Sequence, residues 1–136
     1  MHIHDLIALS IGARQDAIAT AEGRGVRAAR LRAIKADIAR NLGDCGLTVT
    51  LVAARHGVTP RYIHKLFESE GVTFSEFVLR NRLAVAHRLL VDRRLGYRSI
   101  ASVAFDAGFA DLSYFNRTFR RQYNATPTYV RSRGSG

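Results

Sequence analysis

One short pattern occurs twice in this chain and constrains the fold more than any other sequence feature. In each copy an alanine stands four residues before a glycine: Ala53 and Gly57, then Ala104 and Gly108. After a turn, each copy continues with a tyrosine, an apolar residue and a phenylalanine at the same spacing: Tyr62, Ile63 and Phe67, then Tyr114, Phe115 and Phe119. The turn of the second copy is one residue longer.

This spacing predicts two helices that cross at a tight turn. The small alanine lets the second helix approach the first closely, and the glycine takes the left-handed backbone that ends the first helix. The apolar residue, Ile63 or Phe115, packs beneath the crossing, so the outer face of the second helix is free to enter a major groove. The repeat therefore predicts two helix-turn-helix units.

The rest of the sequence favours an all-α fold. Only Pro60 and Pro127 interrupt the chain, and no stretch alternates between apolar and polar residues as a strand does. An amphipathic helix over about 26–42, ended by Gly43, is predicted from apolar residues at helical spacing: Leu31, Ile34, Ile38 and Leu42. Residues 22–25 are predicted to form a loop, and residues 1–25 fit either a helix or the tail of another domain.

Capping residues place the remaining helices. Thr48 or Thr50 caps a short helix that Gly57 stops, and Thr59-Pro60 opens a helix that closes near Gly71. Thr73, with Glu76 three residues on, opens a helix to about Val91, which is about 25 Å long. A short helix over 99–107, one from Asp111 to about Tyr123 and a last one starting at Thr126-Pro127 complete the prediction.

The charge balance points to a polyanionic partner. The chain has 21 Lys and Arg against 11 Asp and Glu, a formal net charge of +10, and its only lysines are Lys35 and Lys65. Arginine forks match phosphate oxygens and guanine edges. After Asp111 the chain has no acidic residue. Composition therefore favours a nucleic acid as partner over a merely solubilising charged surface.

The outer faces of the two second helices carry the side chains that would meet DNA. At spacings of three, four and seven residues these are Arg61, His64, Lys65 and Glu68 in the first unit, and Ser113, Asn116, Arg117 and Arg120 in the second. Arginine and asparagine can make paired hydrogen bonds to guanine and adenine edges. A rigid spacer helix would let one chain reach two major grooves about 34 Å apart.

Other classes of site have little support in the sequence. No apolar run approaches the roughly 18 residues of a membrane span, and the N-terminus lacks the basic region of a secretory signal. The single Cys45 cannot form an internal disulfide, is expected to be inert and fits a cytoplasmic protein. His2 and His4 lack partners at ligand spacing, so we expect no metal.

Three other functions compete with sequence-specific DNA binding. An enzyme is disfavoured because no phosphate loop, carboxylate pair or nucleophile–histidine pattern is visible, and no cofactor is expected. A helical protein–protein module is disfavoured because the exposed stripes lack aromatic anchors. A non-specific, architectural nucleic-acid-binding protein stays open as the alternative, and it would contact phosphates only.

The residues also resemble a known family. Residues 99–104 (Ser-Ile-Ala-Ser-Val-Ala), Gly108-Phe109, residues 111–121 (Asp-Leu-Ser-Tyr-Phe-Asn-Arg-Thr-Phe-Arg-Arg), Thr126-Pro127 and Arg131 resemble the C-terminal half of the AraC/XylS DNA-binding domain. Residues 57–63 (Gly-Val-Thr-Pro-Arg-Tyr-Ile), Phe67, Gly71 and residues 82–86 (Arg-Leu-Ala-Val-Ala) resemble its N-terminal half. The resemblance covers about 28–131.

The resemblance implies seven helices in two subdomains joined by a long helix. It implies control of transcription, usually activation through contact with RNA polymerase. When the positions of the family's DNA-binding domain are mapped onto this chain, the resemblance implies that six side chains contact bases. These are Arg61, His64 and Lys65 in the first unit and Ser113, Asn116 and Arg117 in the second. Phosphate contacts are expected at the helix starts Thr50, Thr59 and Ser99 and at Arg120 and Arg121.

The chain departs from the family in a few places. Asn124 stands where a glycine is usual, and asparagine tolerates the left-handed conformation. Leu112, at the start of the second recognition helix, is expected to pack on the core, with contact to a thymine methyl as the other possibility.

The predicted division of the chain is a first unit over 26–72, a linker helix over 73–92 and a second unit over 93–133. Residues 1–25 are then a linker or the remnant of an effector domain. A small-molecule effector would act only through a domain not present here.

Overall fold

The computed structural model describes residues 23–135, which form seven α-helices and no strand. The helices are α1 (23–40), α2 (Val49–Arg55), α3 (Pro60–Glu68), α4 (Phe74–Val91), α5 (Ile100–Asp106), α6 (Leu112–Tyr123) and α7 (Pro127–Ser135). A short 3-10 helix, Arg93–Leu95, follows α4 and was not anticipated. The predicted all-α class is confirmed, and no helix within this range is long and apolar enough to cross a membrane.

Helix α1 begins earlier than the sequence predicts. The loop expected over 22–25 is wrong for 23–25, which are helical, although both Gly23 and Gly25 lie there. Glycine weakens a helix by about 1 kcal/mol but does not forbid it, and propagation from a helix that is already packed is easy. The packed part is the predicted apolar stripe: Leu31, Ile34, Ile38 and Leu42 are all buried.

Side-chain caps begin most of the helices as the sequence predicts. The Thr59, Thr73 and Ser99 hydroxyls accept hydrogen bonds from the backbone N–H three residues on, at 3.0–3.1 Å. The Asp111 carboxylate does the same for α6, at 3.1 Å. Of the two candidates for α2, Thr48 is the cap, and Thr50 lies inside the helix.

The described residues form two hydrophobic clusters that share helix α4. The first is built around Ile38, Ile63 and Phe67 from α1 and α3, and the second around Val103, Phe115 and Phe119 from α5 and α6. Helix α4 places Phe74 and Val78 in the first cluster and Leu83, Ala86 and Leu90 in the second. Burial of one helix in both clusters couples the two units mechanically.

A polar junction joins the two units beside α4. The Arg82 guanidinium donates hydrogen bonds to the backbone carbonyls of Leu42 (2.9 Å) and Asp44 (2.7 Å), which follow α1. Gly108, in the turn after α5, lies against the same group, because a Cβ there would be 2.0 Å from the Leu42 oxygen. Burial lowers the pKa of Arg82 from its ordinary value, and the two hydrogen bonds give the partly buried guanidinium acceptors for its donors.

A buried carboxylate fastens α1 to the first helix-turn-helix unit. Asp37 is 6 % exposed. It accepts a hydrogen bond from Asn41 Nδ2 at 2.8 Å and lies 3.0 Å from Arg55 Nη2 and 2.8 Å from His56 Nε2. A buried charge is costly unless it is paired. Arg55 and His56, at the end of α2, therefore fix where α1 can lie.

The two repeat glycines offer a matched test of the junction. Gly57 (φ 65°) and Gly108 (φ 105°) both need positive φ, but a Cβ at Gly57 would meet nothing within 4 Å. We expect Gly57→Ala to cost about 1–2 kcal/mol of unfolding free energy, from backbone strain alone. Gly108→Ala adds a steric clash with Leu42 and Arg82 and should cost about 3 kcal/mol or more. Chemical denaturation measures both, and equal losses would contradict the close junction.

Candidate nucleic-acid interface

Helix α3 has one buried and one exposed face, as its residue spacing predicts. Ile63 and Phe67 are fully buried and Leu66 nearly so. The opposite face exposes Arg61, His64, Lys65 and Glu68. These four side chains are polar or charged, and no element within 23–135 covers them. The Thr59 hydroxyl caps the start of the same helix.

Helix α6 repeats this arrangement in the second unit. Phe115 and Phe119 are fully buried, whereas Ser113, Asn116, Arg117, Arg120 and Arg121 are all exposed. The Arg117 guanidinium carbon lies 5.9 Å from the centre of the Tyr114 ring. A cation over an aromatic face is restrained in position while its N–H donors stay available, so Arg117 is partly preorganised.

One buried polar residue of α6 was missed by the sequence analysis. Thr118 is 7 % exposed, and its hydroxyl donates a hydrogen bond to the Tyr114 carbonyl at 2.8 Å. The sequence signal for its burial is its spacing, since Thr118 lies three residues after the buried Phe115 and directly before the buried Phe119. Because the hydroxyl donates to a backbone carbonyl of the same helix, Thr118 can be buried without leaving an unsatisfied donor.

The expected phosphate-contact positions lie at helix starts with ordered backbones. Thr59 and Ser99 cap α3 and α5, and Thr50 is an exposed residue in the first turn of α2. The first N–H groups of a helix have no partner within it, and they favour anions. The structure brings these starts to the surface.

Leu112 corrects a sequence expectation. It was expected to pack on the core, yet it is 43 % exposed. Leu112 is the first residue of α6, directly after the Asp111 cap, and no preceding helical turn covers it. Its side chain therefore lies at the surface beside Ser113, at the end of the helix that enters a groove first in helix-turn-helix proteins.

Asn124 ends α6 in the way the sequence predicts. Its backbone is left-handed (φ 54°, ψ 31°), and its N–H donates to the Arg120 carbonyl at 2.8 Å. Asparagine is one of the few residues other than glycine that tolerate this conformation. The departure from the family pattern therefore leaves the end of the helix intact.

An arginine-lined groove between α1 and α3 was missed altogether. It encloses about 900 Å³. Its polar and charged lining residues are Arg24, Arg27, Arg32, Lys35, Tyr62, Lys65, Glu68, Ser69 and Glu70. Sequence patterns do not reveal it, because the glycines on either side of Arg24 predict a loop there and because the pairing of α1 with α3 has no local signal.

The histidines and the cysteine form no evident chemical centre in the part of the chain that the structure describes. Cys45 is exposed and reduced, and no three metal-ligating side chains cluster there. His2 and His4 lie outside the described residues.

Comparison with known proteins identifies the family. The model of a helix-turn-helix domain family matches residues 52–133, which include both copies of the repeat, from Ala53 to Phe67 and from Ala104 to Phe119. The transcriptional activator RhrA of Rhizobium meliloti (strain 1021) is 42 % identical over 102 residues, covering 75 % of this chain and 32 % of RhrA. The regulatory protein SoxS of Escherichia coli (strain K12) is 31 % identical over 91 residues, covering 66 % of this chain and 82 % of SoxS.

Solved structures agree with this result. A transcriptional regulator with an AraC-type DNA-binding domain from Chromobacterium violaceum superposes with a TM-score of 0.70 at 26 % identity, over 78 % of this chain and 92 % of that one. The DNA-binding domain of AdpA, solved in complex with a target DNA, shares the fold, with a TM-score of 0.67 at 24 % identity over 76 % and 90 % of the two chains.

These matches define a helix-turn-helix DNA-binding domain of a transcription regulator. The chain belongs to the AraC/XylS family of transcription regulators. It spans about a third of the length of RhrA.

The two faces of α6 can be told apart by stability. We expect Leu112→Ala to lower the free energy of unfolding by less than about 1 kcal/mol, because the side chain is largely at the surface. Phe115→Ala, three residues on and fully buried, should cost about 3–5 kcal/mol. Thermal or urea unfolding of the two variants checks this. A large loss of unfolding free energy for Leu112→Ala would show that the Leu112 side chain packs in the core.

Proposed function

We propose that this chain binds double-stranded DNA in a sequence-specific manner, with α3 and α6 in two successive major grooves. The observation that carries the proposal is the repetition of one arrangement. Each helix buries an apolar stripe completely and exposes a stripe of hydrogen-bonding and cationic side chains. Helix α4, packed into both clusters, holds the two helices in one fixed relation, so binding at one groove positions the other.

Base reading is assigned to Arg61, His64 and Lys65 on α3 and to Ser113, Asn116 and Arg117 on α6. Arginine and lysine can donate to guanine O6 and N7, and asparagine can pair with adenine N6 and N7. All six residues are exposed on the free faces of their helices. The exposed Leu112 adds an apolar group that could contact a thymine methyl.

Phosphate contacts are assigned to the helix starts at Thr50, Thr59 and Ser99 and to Arg120 and Arg121. The first three bring backbone N–H groups and a partial positive charge. The two arginines are exposed in the last turn of α6. Such contacts fix the register of the protein on the duplex without reading sequence.

For the whole protein we propose regulation of transcription, with RNA polymerase as partner and activation as the direction. The support is that RhrA is a transcriptional activator. A small-molecule effector would be bound by a separate domain, since RhrA is about three times as long as the matched region. The division into units over 26–72 and 93–133 with a linker over 73–92 belongs to this proposal.

Selection from random duplexes by the purified chain tests the proposal. We expect two recognition elements about one helical turn apart, bound at least about a thousandfold better than bulk DNA near 150 mM salt. Steep salt dependence without enrichment would instead support the non-specific, architectural alternative.

Two arginines on α6 give a sharper prediction. Arg117→Ala should cost about 1–3 kcal/mol of binding free energy and relax the preference at one base position. Arg121→Ala, one turn further along the helix, should weaken binding to all sequences alike. Affinities for a set of single-base operator variants measure both. Uniform weakening by Arg117→Ala would show that it contacts phosphate.

A further inference from the structure

The groove between α1 and α3 carries an excess of positive charge. We call it the basic groove and define its cationic wall as Arg24, Arg27, Arg32, Lys35 and Lys65. Its two carboxylates are Glu68 and Glu70, and Glu70 is already taken by an ion pair with Lys35. The remaining cations, Arg24, Arg27, Arg32 and Lys65, are all exposed and form no ion pair with any residue in the range 23–135.

The walls of the basic groove are held in place by contacts between α1 and its neighbours. The Arg30 guanidinium carbon lies 5.8 Å from the centre of the Tyr62 ring on α3. Lys35 pairs with Glu70 after α3, and its ammonium lies 5.4 Å from the centre of the Phe77 ring on α4. The buried Leu31 and Leu66 form part of the groove lining. The arginines of α1 are therefore presented at a fixed place relative to α3.

Lys65 links the basic groove to the DNA-reading face. It lines the groove and also belongs to the exposed stripe of α3. The phosphate backbone of a duplex bound to that stripe would therefore pass close to the groove. Guanidinium groups that form no ion pair within 23–135 are complementary to a phosphate chain there, and arginine forks bind phosphate oxygens in pairs.

We propose that the basic groove binds the phosphate backbone of the DNA that flanks the element read by α3, with Arg24, Arg27 and Arg32 as the contacts. The inference rests on the proposed function, because it takes α3 as the helix that meets DNA. It adds a third contact region to the two recognition helices, supplied by α1. These contacts carry no base information, so they raise affinity and fix position on the flank.

The test compares the double variant Arg24→Gln/Arg27→Gln with the control Arg40→Gln in the full chain. Arg40 is also exposed on α1, but lies on the other side of the helix from the groove residues. Removing two phosphate contacts should make the negative slope of log K against log salt shallower by about 1.8. It should also weaken binding about tenfold or more near 150 mM salt for every sequence alike. The control should leave the slope nearly unchanged.

The length of the duplex locates the contact. Trimming the flank next to the first element, up to the edge of that element, should weaken the unaltered chain and the Arg40→Gln control. It should have little further effect on the double variant, because its flank contacts are already gone. Melting curves of all three proteins should coincide, since the altered side chains are exposed.

Several outcomes would overturn the proposal. Equal slopes for the double variant and the unaltered chain would show that the groove contacts no phosphates. A change in slope for the control about half as large as that for the double variant would reduce the effect to net charge, since the control loses one charge and the double variant two. Relaxed base preference in the double variant would make the groove a reading surface instead. Failure to select any sequence would overturn the proposed function alone, because the same slopes measured on random duplex still test the groove.

Discussion

The rest of the structure depends on the junction where Arg82 meets the chain after α1. Its guanidinium bonds the Leu42 and Asp44 carbonyls, and the Gly108 backbone lies too close to Leu42 for any side chain. The end of α1, the middle of α4 and the turn of the second unit thus meet at one point. Two small helical units could otherwise tilt about α4, and each is too small to have much stability of its own.

Because the two units are held rigidly, the exposed faces of α3 and α6 keep a fixed spacing. A helix-turn-helix pattern is common among helical hairpins, and one exposed stripe of arginine and asparagine says little. Two stripes held by a shared helix form a surface that can match two grooves of one duplex, because the spacing between grooves is fixed by DNA itself. The preorganised surface spares the entropy of ordering two linked units at the moment of binding.

Local signals explain how much could be predicted. The repeat placed both turns, the caps placed the starts of α3, α4 and α6, and helical spacing separated the buried Ile63 and Phe115 from the exposed Lys65 and Asn116. The errors have a physical cause too. Gly23 and Gly25 suggested a loop, but a helix already anchored by Leu31 and Ile34 extends through them. Leu112 suggested core by its chemistry, but it stands at the exposed first turn.

The sequence by itself determined the family, the two units and the candidate reading side chains, since turns, caps and helix faces are set by residues within a few positions of one another. Only the tertiary structure decided the Arg82 junction, the pairing of Asp37 with Arg55 and His56, and the basic groove. Each of these joins residues that are far apart along the chain. Their contact depends on how whole helices pack, and the periodicity of a helix shows which of its faces is buried but not which other helix covers that face.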